Sequence, residues 1–364
     1  PIEDADVQCK AQRYELFREP LERDLIMSAA PGSEARLVVL ADAPGEPRSR
    51  AGSMKAHLTA AFLTAAAMTV SHAAEATPSQ LVGRWDLTVD TPGPYRAGWL
   101  EVRPSGRTTL VGSFLNMFGS ARPVSRIDAA EGTFRFTVPP QWDDTEGETT
   151  VTGRVLGDSM AGTIGYANGR AFAFRGERAP ALRRSKSPRW DRPIPLFNGR
   201  DLSGWKAYGP GADNWAADQG VLRNGGRGAN LVTERAFTDF RLHAEFRYPE
   251  GGNSGIYLRG RYEVQLEDTP GPEPGVLGIG SIYGHLVPNE LAALGPDRWQ
   301  SLDITLIGRR VTVVLNGKAV IADQLIPGPT GGAIDSHEGL PGPIYLQGDH
   351  GPVEFRNIVI TPAR

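Results

Sequence analysis

Leu302-Asp303-Ile304-Thr305-Leu306 and Val311-Thr312-Val313-Val314-Leu315-Asn316-Gly317-Lys318 decide the fold class. Both apolar runs follow the period of two that belongs to half-buried strands. Asn316-Gly317 is a type I′ hairpin signal, because both central residues of that turn need positive φ. Outward from this pair, Arg241–Tyr248 places Leu242, Ala244, Phe246 and Tyr248 on one face. Only Asn289–Leu294, ended by Gly295-Pro296, reads as a helix. These signals predict an all-β sheet sandwich over 194–364.

Upstream, about eight strand patterns run from Leu81 to Arg175 between turn residues. Gly83–Val89, Gly98–Arg103, Thr133–Val138 and Ala171–Phe174 all alternate. Short strands at this spacing predict a small antiparallel barrel over 77–177. The Gly83-Arg84-Trp85 opening weakly resembles lipocalin-like barrels, and Trp85 is read as a core residue. Residues 178–193, basic and Pro-rich, read as a linker.

The chain has 364 residues and a formal net charge of -3, with no basic excess to attract nucleic acid. A single Cys9 excludes an intramolecular disulfide and makes a Cys-based zinc site an unpromising reading. Met54-Lys55, an apolar run from Leu58 to Val70, and Ala74-Glu75-Ala76 form the order of a secretory signal. That run of about 13 residues falls short of the ~20 needed to span a bilayer. Residues 1–53 are read as a spurious, disordered upstream extension and 54–76 as a signal peptide. Cleavage near Ala76 would deliver the protein to the periplasm or outside the cell. The 8 basic and 11 acidic residues of 1–76 would be lost, leaving 31 of each.

The stretch Gly252–Asp268 carries the chemistry. In Tyr262-Glu263-Val264-Gln265-Leu266-Glu267 the alternation puts Glu263, Gln265 and Glu267 in a row on one face. Such a row is either a solvated face or a sugar-binding strip. Glu263 and Glu267 would stand ~13 Å apart on an extended strand. A retaining glycosidase holds its carboxyls ≈5–5.5 Å apart. No Gly-x-Ser-x-Gly elbow, phosphate loop or dinucleotide fingerprint is present, so no organic cofactor is expected. Four histidines follow Ala76. His243 reads as a cross-strand polar residue and His337 as solvated. His285 and His350 lie in loops beside glycines, where an imidazole suits proton transfer. Their spacing does not define a metal site, and a divalent cation is left open.

Leu196–Trp205, Asn253–Tyr257, Tyr262–Gln265, Gly342–Gly351 and Val353–Ile358 resemble, in order, the 3-keto-disaccharide hydrolase family. The resemblance covers about 194–362 and not the barrel. It implies a concanavalin-like jelly roll and action on 3-keto-glycosides. A ketone at C3 acidifies the C2 proton; a base removes it, and the C1 leaving group departs by β-elimination. Water addition then gives net hydrolysis. His285, His350 and Glu263 are the candidate acid or base groups. Asn253, Arg259, Gln265, Glu267, Tyr283 and Asp349 are the candidate substrate-binding residues. The alternative is a non-catalytic, lectin-like carbohydrate-binding protein, with an ordinary glucanase as a third reading.

Overall fold

Two all-β assemblies follow one another along the chain. The computed structural model describes residues 78–141, 146–182, 188–268 and 271–364. The extension and signal peptide expected over 1–76 lie outside the described residues. After one helical turn, α1 (Pro78–Leu81), eight strands form a closed antiparallel barrel. They are β1 (Gly83–Val89), β2 (Ala97–Ser105), β3 (Thr109–Asn116), β4 (Phe118–Ala130), β5 (Thr133–Val138), β6 (Thr149–Leu156), β7 (Ser159–Gly165) and β8 (Ala171–Arg178). β8 returns to β1 with Trp85 opposite Arg178 and Val89 opposite Phe174. Closure leaves no free sheet edge.

Alternation sets what fills the barrel. β5 buries Phe134, Phe136 and Val138 and exposes Thr133, Arg135 and Thr137. These side chains meet Trp85, Leu87, Phe114, Val151, Ile164 and Phe174 in one core. Fully burying a side chain of this kind contributes about 1.5–3 kcal/mol. Trp85 is the core residue expected: its Nε1 donates to Leu81 O at 2.9 Å, and the Arg178 guanidinium lies 3.8 Å from its ring centroid.

The segment read as a linker is tied down at both described ends. Arg178 belongs to β8, and Trp190 bridges Ala363 while Arg241 stacks over its ring at 4.4 Å.

The remaining strands make two facing sheets. The five-stranded sheet runs β10 (Trp205–Tyr208), β13 (Asn230–Thr233), β20 (Tyr345–Leu346), β15 (Asn253–Leu258), β16 (Tyr262–Glu267). The larger sheet runs β11 (Trp215–Asp218), β12 (Val221–Asn224), β21 (Val353–Pro362), β14 (Phe240–Arg247), β17 (Gln300–Ile307), β18 (Arg310–Leu315), β19 (Lys318–Leu325). A short β9 (Ile194–Pro195) pairs with β21. The core between the sheets takes Leu231, Ile256, Leu258, Val264 and Leu266 from one side. From the other it takes Leu242, Phe246, Ile304, Val313 and Phe355. The hairpin at Asn316-Gly317 forms as read, with φ of 50° and 81°.

One local expectation is corrected. Asn289–Leu294 is not a helix; it is irregular, with Leu291 and Leu294 exposed. Six residues are too few to sustain a helix without packing. Their polar groups bond to strands instead: Asn289 N to Val320 O at 2.8 Å, and Leu294 N to Gln300 Oε1 at 2.9 Å.

The barrel is bonded to the sandwich. Trp99 Nε1 donates to Pro329 O at 2.9 Å, Ser336 Oγ to Leu87 O at 2.6 Å, and Gly332 N to Met117 O at 2.7 Å. Arg84 on β1 pairs with the fully buried Glu338, which also accepts from the Tyr262 hydroxyl.

Candidate active site

β15 and β16 pair without a register shift, so their side chains form a grid. Asn253 faces Glu267, Gly255 faces Gln265, and Tyr257 faces Glu263. Ile256, Leu258, Tyr262, Val264 and Leu266 point into the sandwich core. The opposite face therefore carries Asn253, Gly255, Tyr257, Glu263, Gln265 and Glu267. With no bulge in this pairing, Glu263 and Glu267 keep the ~13 Å spacing of an extended strand.

The row is not a solvated face. Glu263 and Gln265 are only 3% and 2% exposed. The Tyr257 hydroxyl lies 2.9 Å from Glu263 Oε2 and 2.9 Å from Gly331 O. Gly255 makes room for the carboxylate: a Cβ there would stand 2.8 Å from Glu263 Cγ and 3.0 Å from Cδ. Gln265 Nε2 donates to Glu267 Oε2 at 2.9 Å, while its Oε1 accepts no hydrogen bond among the described residues. Because a carboxylate only accepts, the amide is oriented by chemistry.

The strip continues across the sheet as aromatics. Tyr257 stacks on Tyr345 with centroids 4.2 Å apart and planes 8° from parallel. Val232 completes this small cluster, with Tyr208 packed against it. Burial pushes the Tyr257 and Tyr345 hydroxyls well up, with Glu263 and Asp349 adding to the Tyr257 shift. Both stay protonated as hydrogen-bond donors.

Tyr283 and His285 come from a loop that lines the free edge of β16. Tyr283 N donates to Glu263 O at 3.1 Å, and Gln265 N to Ser281 O at 3.0 Å. His285 Nε2 lies 3.2 Å from Pro329 O, an acceptor, so that nitrogen carries a proton. Burial lowers the imidazole's pKa, and the Arg84 cation lowers it further; hydrogen bonds to Pro329 and Gly284 oppose this. The ring is 5.9 Å from Trp99 of the barrel.

Asp349 and His350 pair with each other at 2.7 Å. Their loop is held through Gly348, whose N donates to Asn230 Oδ1 and whose O accepts from Asn224 Nδ2. Asp349 acts electrostatically on Tyr257 and Tyr345.

Arg259 is not brought to this group. It sits at φ 55° in the β15–β16 turn, 1% exposed, and its guanidinium donates to Glu338 O, Tyr262 Oη and Gly308 O. Tyr262 lies on the core side of β16, so Arg259 is spent on the opposite face. His243 pairs with Asp303 across β14–β17 at 2.8 Å, and His337 is half exposed beside Asp335. Tyr257, Tyr345, Gly255 and Asn230 were not singled out as site residues. For Tyr257 and Gly255 the signal was available: both alternate with the core positions Ile256 and Leu258. Among the described residues no three His, Cys, Asp or Glu side chains form a metal-ligand set. A hollow of about 890 Å³ on the barrel, lined by Arg126, Arg135, Thr152 and Thr163, contains none of these residues.

The polar face lies wholly within a stretch that other proteins share. Residues 192–361 match the model of the 3-keto-alpha-glucoside-1,2-lyase-like domain. A 3-keto-disaccharide hydrolase of Bacteroides thetaiotaomicron is 32% identical over 89 residues, which is 21% of this chain and 30% of that protein. The match thus spans less than a third of that relative's length. Two solved structures of candidate glycosyl hydrolases from Parabacteroides distasonis are also similar. One is 34% identical, covers 46% of this chain and 82% of its own, and has a TM-score of 0.40. The other is 22% identical, covers 47% and 94%, and has a TM-score of 0.39. The matched stretch, residues 192–361, holds every residue of the polar row, and the barrel lies outside it.

Proposed function

We propose that the protein is a carbohydrate-active enzyme that cleaves 3-keto-glycosides or 3-keto-disaccharides by C2 deprotonation and β-elimination, with net hydrolysis after water addition. The observation that carries this reading is the buried Glu263, seated over Gly255 and bonded by Tyr257, in a row of sugar-type hydrogen-bonding groups. The family match and the Bacteroides thetaiotaomicron relative support the 3-keto sugar as substrate class.

The geometry suits elimination better than direct displacement. A retaining glycosidase needs its carboxyls ≈5–5.5 Å apart, and the Glu263–Glu267 spacing is far longer. Elimination needs instead one base at C2, donors at the ketone and an acid at the leaving oxygen. His285, held neutral by burial, can take the C2 proton. Glu263, bonded by the Tyr257 hydroxyl, is the candidate group for the leaving oxygen. Asn253, Gln265 and Glu267 then read the sugar hydroxyls, with the Asp349–His350 pair at the far side. Among the described residues no helix is long and apolar enough to cross a membrane. We further propose export, after cleavage near Ala76; the mass of the mature protein tests it.

The test is turnover of a 3-keto-glucoside against its unoxidised parent. Cleavage of the keto sugar alone supports the enzyme. Binding of either without turnover favours a lectin, and cleavage of the parent favours a glucanase. On the keto sugar, His285→Ala, His350→Ala and Glu263→Gln should separate the groups. Loss of the true proton-transfer group should cost about 10²–10⁴ in kcat with the fold retained. Near-native turnover by all three rejects this assignment.

A further inference from the structure

The barrel lies outside the family match, yet it reaches the polar face. Tyr95, in the loop between β1 and β2, is 4% exposed. Its hydroxyl accepts from Asn230 Nδ2 at 2.8 Å. The same Asn230 accepts from Gly348 N at 2.7 Å, next to Asp349 and His350. Beside it, the Tyr208 hydroxyl donates to Pro94 O at 3.1 Å. Burial pushes the Tyr95 hydroxyl up and Asp349 adds to the shift, so it remains a donor as well as an acceptor.

A continuous run of rings follows. Phe118 meets Tyr95 edge-on at 5.4 Å, and Tyr95 meets Tyr208 at 6.1 Å and 83°. Tyr208 lies 6.2 Å from Tyr345, which stacks on Tyr257. The run thus starts on the barrel and ends at the hydroxyl that holds Glu263. Its outer end, Phe118, remains 38% exposed. Close backbone approach fixes the wall: Gly332 N donates to Met117 O, and a Cβ on Gly331 would collide with Gly119.

We propose that the barrel forms one wall of the sugar site, with Tyr95 and Phe118 as specificity-determining residues. A sugar offers polar hydroxyls at its rim and an apolar C–H face, and aromatic rings present a matching apolar surface with, in tyrosine, a polar tip. Phe118 would take the C–H face, and Tyr95 would hold the wall in register with the Asp349 loop. This rests on the reading that the polar face binds a sugar. It does not depend on which group moves the proton.

The experiment uses the full chain and the variants Phe118→Ala, Tyr95→Phe and Tyr95→Ala, with Leu156→Gln in the exposed β6–β7 hairpin as control. Kinetics are measured on two 3-keto-glucosides that differ only in the leaving group, and folding is checked by thermal unfolding. Phe118→Ala should raise KM about tenfold, more than it lowers kcat, and unequally for the two substrates. Tyr95→Phe should give a smaller change in the same direction. Leu156→Gln should match the wild type. An unchanged KM for Phe118→Ala and both Tyr95 variants, with intact folding, overturns the wall. If the wild type turns over neither substrate, the proposed reaction fails, and the wall is then read from calorimetric binding of the unoxidised disaccharide. A Kd weakened about tenfold by Phe118→Ala supports the wall. An unchanged Kd, or no binding by the wild type, overturns it. Should Tyr95→Ala fail to fold, Phe118→Ala and Tyr95→Phe carry the test.

Discussion

The hydroxyl of Tyr257 lies 2.9 Å from Glu263 Oε2 while also lying 2.9 Å from the carbonyl oxygen of Gly331. A phenol has one proton, and both neighbours can accept it. The single phenolic proton thus links the Glu263 carboxylate and the Gly331 carbonyl through one hydroxyl and fixes the side chain against that loop.

Tyr257→Phe removes this link without opening a cavity. Leaving buried acceptors unsatisfied should cost about 1–3 kcal/mol of stability. If Glu263 acts as the acid, kcat on a 3-keto-glucoside should also fall about 10-fold or more, because the carboxyl loses its orientation. Denaturant unfolding and kcat together check this. A stability loss with unchanged kcat would mean that Tyr257 only props the sheet.

Gly255→Ala tests the seat of the carboxylate. The added methyl would press on Glu263 Cγ and Cδ from 2.8 and 3.0 Å. Moving a buried side chain in this way typically costs 1–3 kcal/mol, about the strain expected here. The variant should fold, with kcat reduced about as far as in Glu263→Gln. Activity equal to the wild type would place the reacting carboxyl elsewhere.

The acid limb of stability should depend on His285. Unfolded, the imidazole takes up a proton near its ordinary pKa of 6.5; folded, burial holds the value lower. Between these two values the unfolded state binds more protons, so stability falls as pH falls. His285→Gln should flatten the decline in Tm from pH 7 to pH 5. An unaltered slope would show that the imidazole titrates normally.

Asp86 should act in the opposite sense. Burial, and then the nearby Glu338 carboxylate, raise its pKa from 3.8 to about 8, against the pull of Arg84. From 3.8 to about 8 the folded state keeps a proton that the unfolded state has lost, so the contribution to stability declines as pH rises through this window. Asp86→Asn should therefore stabilise the protein more at pH 8 than at pH 5. Tm measured across that range would falsify this if the gain were equal at both ends.

Alternation alone made the strands legible. A two-residue period needs no knowledge of partners, so the β5 pattern, the β14 face and the Asn316-Gly317 turn could all be read locally. The polar row Glu263, Gln265 and Glu267 was legible for the same reason. The Asn289–Leu294 pattern misled, because a short helical signal yields to neighbouring strands that claim its backbone groups.

Whether the row is solvated or buried was decided only by tertiary structure. Nothing local distinguishes a solvated Glu263 from one buried over Gly255 beneath Tyr257, since burial depends on what packs above it. Arg259 shows the converse. Its place beside the row suggested a ligand contact, but the φ 55° turn sends its guanidinium to Glu338, Tyr262 and Gly308. Tyr95 and Asn230 are 135 residues apart and meet only because the barrel docks on the sandwich. Sequence determined which residues share a strand face, because that is covalent geometry. Which faces meet, and hence which groups lose water and gain partners, is set by long-range packing that no local pattern encodes.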